Sequence, residues 1–182
     1  MFNEQKKEEK EKVYDFCCAM IYFDLPDMKK LHTIIDEDDI YTEEDDDSYG
    51  LEKHPHTTLL YGLHEDVNPD DVKDICINYS FETLTLHNCS SFNSEKFDVL
   101  KFDVKGENLF ECNEELAQLP HTTDHPDYHP HSTIAYLKKG TAKKYIKLLE
   151  DKEYKVIPEK IVYSLTDGSN MSWKITKQEK DI

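Results

Sequence analysis

The chain contains no arginine. Every basic residue is a lysine, 22 of them against 39 Asp and Glu, and the formal net charge is −17. Long nucleic acids are normally held by neutralising their phosphates with cationic side chains, so a long DNA or RNA partner is disfavoured. The bidentate guanidinium fork is unavailable, and any phosphate site must be built from lysine, hydroxyls, histidine and backbone N–H groups. No apolar run is long enough to span a membrane, and the Lys/Glu-rich opening is not a secretory signal. The cysteines (Cys17, Cys18, Cys76, Cys89, Cys112) are odd in number and lack a CxxC spacing, which points to free thiols in a reducing cytoplasm. Apolar residues make up only 37% and there is one tryptophan, but aromatics reach 11%, enough for a modest core.

The length of 182 residues fits one domain of two similar lobes. Residues 1–12 read as a charged flexible tail and 13–182 as the domain, interrupted by an acidic loop at 36–49. That loop lacks the spacing of a calcium-binding hand. The apolar stretch Tyr14–Leu25 reads as a central strand with Cys18, Met20, Tyr22 and Asp24 on one face. Helices are expected at Met28–Ile35 behind Asp27, from Pro69 behind Asn68, over Asn108–Gln118, and over Ala142–Glu150 capped by Thr141. Strands are expected at Phe81–Cys89 and Phe97–Val104, and Tyr154–Leu165 with Met171–Thr176 reads as a hairpin.

The chain is organised around a sequence that occurs twice. "HPHTTLLY" at His54–Tyr61 and "HPHSTIAY" at His129–Tyr136 lie 75 positions apart. Each is followed by a glycine-containing connection (Gly62, Gly140) and a helix. The repetition predicts a duplicated α+β fold with a pseudo-two-fold axis, its motif strands meeting at the middle. Residues i and i+2 of a strand share a face about 6–7 Å apart. His56 therefore sides with Thr58 and His131 with Thr133, while Leu59, Leu60, Ile134 and Ala135 anchor the strands in the core. Two imidazoles and two hydroxyls facing one cleft suit a phosphodiester. A neutral histidine takes the proton of an attacking hydroxyl, a charged one protonates the leaving oxygen, and the threonines hold the non-bridging oxygens. No cofactor is required.

Other readings stay open. His54 with His56 and His129 with His131 form HxH pairs that imidazole-binding zinc would accept, although a metal leaves the threonines unexplained. A nucleotide-binding module without turnover is a third possibility.

The two blocks "YGLEKHPHTTLLYGLHEDV" (Tyr49–Val67) and "HPDYHPHSTIAYLKKGTAKKYI" (His125–Ile146) resemble the 2H phosphoesterase superfamily, and within it the phage anti-CBASS nucleases. The resemblance implies the two-lobed RNA ligase-like fold with a central cleft. It also implies metal-independent cleavage of cyclic di- and trinucleotide immune messengers such as cyclic GMP–AMP, with His56, Thr58, His131 and Thr133 as the catalytic set. A 3′-5′ linkage would be attacked by the neighbouring ribose 2′-OH. Tyr22 and Trp173 are the candidates for base stacking, and Lys138, with Lys139, Lys143 and Lys144, for offsetting the acidic background. The expected partner is a small cyclic oligonucleotide rather than a membrane or a long nucleic acid, and the expected state is a monomer or weak dimer. The alternative within the superfamily is a cellular enzyme that opens 2′,3′-cyclic phosphates or cuts 2′-5′ linkages.

Overall fold

Buried residues recur along Phe16–Phe23 (β1), with Ala19, Ile21 and Phe23 on the core face. This strand is the spine of one sheet. The computed structural model describes residues 15–175, so the tail expected at 1–12 lies outside the described residues. Within that range the other strands and α-helices begin with α1 (Met28–Thr33), β2 (His56–His64), α2 (Pro69–Ile77), β3 (Leu84–Asn93), β4 (Phe97–Lys105) and α3 (Leu109–Leu116), with one 3-10 turn at Glu37–Asp39. They are followed by β5 (His131–Lys138), α4 (Ala142–Leu149), β6 (Tyr154–Val156), β7 (Pro158–Ser164) and β8 (Asn170–Lys174). All strand pairings are antiparallel, in two four-stranded sheets of order β2-β1-β7-β8 and β5-β4-β3-β6. The fold is α+β and two-lobed, as expected.

The duplication is visible in the order β1-α1-β2-α2 and β4-α3-β5-α4, and in the register. Opposite β1, the pairing skips Leu59, so that Met20 faces Thr58 while Ala19 faces Leu60. Opposite β4, it skips Ile134 in the same way. Each bulge falls three residues after the motif histidine. A bulge places two consecutive residues against one partner, and here it puts both apolar residues of each pair (Leu59–Leu60, Ile134–Ala135) into the core. The helix between each pair of strands packs across the axis, α1 on β5 and α3 on β2. From them, His32 Nε2 donates to the Ile134 carbonyl (3.2 Å) and Asn113 Nδ2 to the Leu59 carbonyl (2.7 Å), so each bulge carbonyl is satisfied by the opposite lobe.

Several sequence expectations are corrected. The strand expected over Tyr154–Leu165 is split: β6 completes one sheet and β7 enters the other, with exposed Ile157 between them. Pro158, which has no N–H to donate, starts the new strand. Gly62 is not a connection but lies inside β2 at φ 101°, where a Cβ would sit 2.0 Å from the Thr122 carbonyl oxygen. Thr141 does not cap α4; the buried Asp98 carboxylate accepts from Gly140 N (2.8 Å) and Ala142 N (3.3 Å) instead. Asp27 makes no cap bond to α1, whereas Asn68 accepts from Asp70 N as a capping residue should.

The acidic loop is stitched to the free edge of β5. Tyr41 N donates to Tyr136 O, Tyr136 N to Gly50 O and Glu52 N to Ile134 O, all within 2.8–2.9 Å. Tyr41, Tyr49, Phe97 and Tyr136 pack ring on ring beneath it. Residues 120–122 do the same for β2, with Thr122 N donating to Gly62 O and His64 N to Pro120 O. The β2 edge of one sheet and the β5 edge of the other are thereby covered, so neither motif strand offers an open template for pairing with another chain. The histidine ends of β2 and β5 stay clear. No helix among the described residues is long and apolar enough to cross a membrane.

Candidate active site

The two histidines are held alike. His56 Nδ1 lies 2.7 Å from the His54 carbonyl and His131 Nδ1 lies 2.9 Å from the His129 carbonyl. A carbonyl oxygen only accepts, so in each neutral ring the proton sits on Nδ1 and the Nε2 lone pair is the free one. The H-P-H spelling of both motifs supplies this carbonyl two residues before each ring. Thr57 and Ser132 point into the core, leaving His56 with Thr58 and His131 with Thr133 on the opposite, half-exposed face. β2 and β5, which carry the two rings, pack against each other across the axis.

Burial pushes the His131 pKa down. The hydrogen bond to His129 opposes this, Lys101 and His56 add to the depression, and Asp103 works against it. His131 is accordingly biased to the neutral form near neutral pH. Thr58 hydrogen-bonds the Cys18 thiol, whose pKa burial raises to about 12, so that sulfur remains a neutral thiol. Tyr128, on the loop before the second motif, donates to the Thr58 carbonyl at 2.8 Å and ties that loop to the first motif strand.

The surroundings of the two rings correspond across the axis but differ in character. Opposite His56 on β1 stands Tyr22, its ring 5.5 Å from His56 and stacked at 6.1 Å on His54, with Lys160 Nζ 6.0 Å from its centroid. Opposite His131 on β4 stands Asp103, and opposite Thr133 stands Lys101. Phe92 meets His131 edge to face at 4.9 Å, and Lys101 Nζ sits 4.6 Å over the Phe92 ring.

The structure thus sets Tyr22 beside His56 and Thr58 on one motif strand, and His131 with Thr133 on the half-exposed face of the other. It does not bring Trp173 to them. Trp173 pairs with Ile161 on the core face of β7 and stacks on buried Tyr163, behind the sheet. Lys138 is also elsewhere: it ends β5, seven positions past His131, or on the order of 20 Å along an extended strand. Lys144 pairs with Asp39 and serves the acidic loop. Sequence reasoning missed Phe92, Lys101 and Asp103. The last two lie at i and i+2 on a strand, the same spacing that revealed the motifs, but a lysine in an alternating strand reads as solvent-facing.

His54, one half of the HxH pair, is occupied in its stack on Tyr22, and among the described residues no three His, Cys, Asp or Glu side chains converge as metal ligands do. A separate open groove of about 1330 Å³ runs under the acidic loop, between Lys29, Lys53 and Asp45–Asp47; neither motif histidine lines it.

Among solved structures, Usb1 of Kluyveromyces marxianus, determined with uridine monophosphate, superposes with a TM-score of 0.54 over 89% of this chain and 99% of that one, at 7% identity. The chain has the 2H phosphoesterase fold. E. coli LigT complexed with 3′-AMP aligns over 90% of this chain and all of that one, with a TM-score of 0.48 and 15% identity. No protein-family model and no curated protein matches the sequence. In this 2H fold the paired histidines stand on the two motif strands, with the pseudo-axis between them.

Proposed function

We propose that the protein is a metal-independent phosphodiesterase in which His56 and His131 act as general acid and base and Thr58 and Thr133 hold the phosphate. The observation that carries this reading is the pair of rings fixed by the same Nδ1–carbonyl bond, each leaving its Nε2 lone pair free on the half-exposed face of a motif strand. Pinning both rings in the tautomer that exposes Nε2 serves proton transfer, where a group must be in hydrogen-bond reach of the reacting oxygen. The proposed substrates are 3′-5′ linked cyclic di- and trinucleotides of the cyclic GMP–AMP kind. The neighbouring 2′-OH would attack the phosphorus as the 5′ oxygen leaves, giving a linear product with a 2′,3′-cyclic phosphate. Destroying such messengers would let a phage escape the defence system they trigger. Tyr22 beside His56 offers a ring for a base, and the acidic exterior favours a small ligand over a long one.

The test uses purified protein, cyclic GMP–AMP and excess EDTA, with products resolved by chromatography and mass. Linear products from the native protein are expected. His56→Ala and His131→Ala should each lose on the order of 10²–10⁴ in rate, the typical worth of positioned proton transfer, with unchanged melting temperatures. Cleavage that EDTA abolishes would restore the HxH metal reading. Inertness toward cyclic di- and trinucleotides, with turnover of 2′,3′-cyclic phosphates or 2′-5′ linkages, would overturn the substrate assignment and leave the chemistry standing.

A further inference from the structure

The two half-sites are equal in their motifs and unequal in charge. Opposite Thr58 the floor strand carries Met20; at the matching place opposite Thr133 it carries Lys101. Lysine is rarely this buried without a reason, and Lys101 is 7% exposed. Its Nζ donates to Asp103 Oδ1 at 2.5 Å, and Asn88 Nδ2 donates to the other Asp103 oxygen at 2.6 Å. Both charges are therefore fixed in place. Phe92 lies against the ammonium on one side and the His131 ring on the other. A fixed cation beside a half-buried imidazole disfavours the imidazolium, and the low local dielectric makes the effect larger than at a surface.

We propose that Lys101 is a positioning residue of the active site: its ammonium, fixed by Asp103 and set against Phe92 beside the ring, favours unprotonated His131 and so makes His131 the base and His56 the acid. The assignment of roles rests on the phosphodiesterase reading above; the effect of the pair on His131 does not. The two charges act on the ring with opposite sign, Lys101 against the imidazolium and Asp103 for it. The titratable and charged groups facing His131 are Lys101 and Asp103 from β4 and His56 from β2. On β3, His87 and Cys89 stand behind the pair, and the Cys89 thiol, raised to about 12 by burial, stays neutral. Asp103 remains a carboxylate: burial alone would raise its pKa, but the bonds from Lys101 and Asn88 lower it overall.

The opposite signs provide the test. The His131 Cε1–H resonance is followed against pH by NMR in the full chain. It is expected to titrate below an ordinary histidine in the native protein, higher in Lys101→Met, and lower still in Asp103→Asn. Lys101→Arg, which keeps the charge, should leave it near the native midpoint. A pair that merely stabilises the sheet would be broken by either change and would shift the ring the same way in both, or not at all; either result overturns the proposal. Should Lys101→Met fail to fold, Asp103→Asn alone decides, by whether the midpoint falls.

In the kinetics the acid limb of kcat/KM marks deprotonation of the base, so Lys101→Met should move that limb to higher pH and Asp103→Asn to lower pH. The loss in Lys101→Met should be greatest below neutral pH and narrow as the pH rises. Opposite NMR shifts in a protein inert toward every phosphodiester tried would leave the electrostatic device standing and remove the phosphodiesterase reading. An active enzyme whose acid limb ignores both changes would remove His131 as the base.

Discussion

Thr57 and Ser132, the middle residues of the two H-x-T motifs, are buried at 0% and 1% exposure, and neither hydroxyl has a hydrogen-bond partner among the described residues. Next to a reacting histidine, a hydroxyl invites a catalytic role. Its direction denies one, since it points behind the strand into the core. An unpaired buried hydroxyl costs about 1–3 kcal/mol, so Thr57→Val and Ser132→Ala should leave stability unchanged or raise it by up to about 1 kcal/mol, with activity retained. Thermal unfolding and turnover on a phosphodiester check this together. A drop in stability of 2 kcal/mol or more would mean that the hydroxyls are satisfied, for instance by buried water. The contrast with Thr58 and Thr133, one residue on, follows from period-two alternation alone, which is why the shared face of His56 with Thr58 and of His131 with Thr133 was legible from sequence. Lys101 and Trp173 were not. A strand pattern says that two residues share a face, but which face meets the core depends on the partner strands, and those come from distant parts of the chain. Ile161 and Tyr163 on β7 draw Trp173 inward; Asp103 and Phe92 keep Lys101 in the cleft.

The elements that fix the motif strands are borrowed across the axis. Asn113 on α3 satisfies the Leu59 carbonyl at the bulge that follows His56 and Thr58, and His32 on α1 does the same for Ile134. Asn113→Ala leaves that carbonyl without its partner in a half-buried place, so a loss of about 1–3 kcal/mol in urea unfolding is expected. Because the bulge sets where β2 resumes its pairing, kcat should fall as well, whereas Gln118→Ala, which removes a bond within α3's own turn, should change neither. Equal effects from the two substitutions would say that the bulge carbonyl is indifferent to its partner. The helices themselves were largely readable, Pro69–Ile77 best of all, since Asn68 and Pro69 announce its start. The split at Ile157 was not readable. β6 and β7 are separated by one residue, so the change of sheet is dictated by the free edges that β3 and β1 offer.

At the scale of the whole molecule the lobes are not independent bodies. One sheet takes β1 and β2 from the start of the described chain and β7 and β8 from its end, with the other sheet threaded between them in sequence. Buried residues of both sheets belong to one core cluster, from Cys17 and Ile21 through Leu100 and Ile134 to Trp173. Unfolding should therefore be a single transition, in which the fluorescence of Trp173, which reports one sheet, and the far-ultraviolet circular dichroism, which reports both, trace the same urea curve. Separate midpoints would mean that the lobes unfold in turn. The same molecule carries a formal charge of −17, and self-repulsion of that size works against the compact state. Its exposed ion pairs, such as Lys30–Asp27, are too weak and too solvated to dominate. Raising sodium chloride from about 0.01 M to 1 M shortens the screening length from roughly 30 Å to 3 Å. Repulsion between distant carboxylates is then removed, while the half-buried Lys101–Asp103 contact is screened less. The melting temperature should rise by about 2–4 °C for each 1 kcal/mol relieved. A melting temperature that falls with salt would show that attraction within local pairs, not repulsion across the surface, governs the stability of this acidic chain.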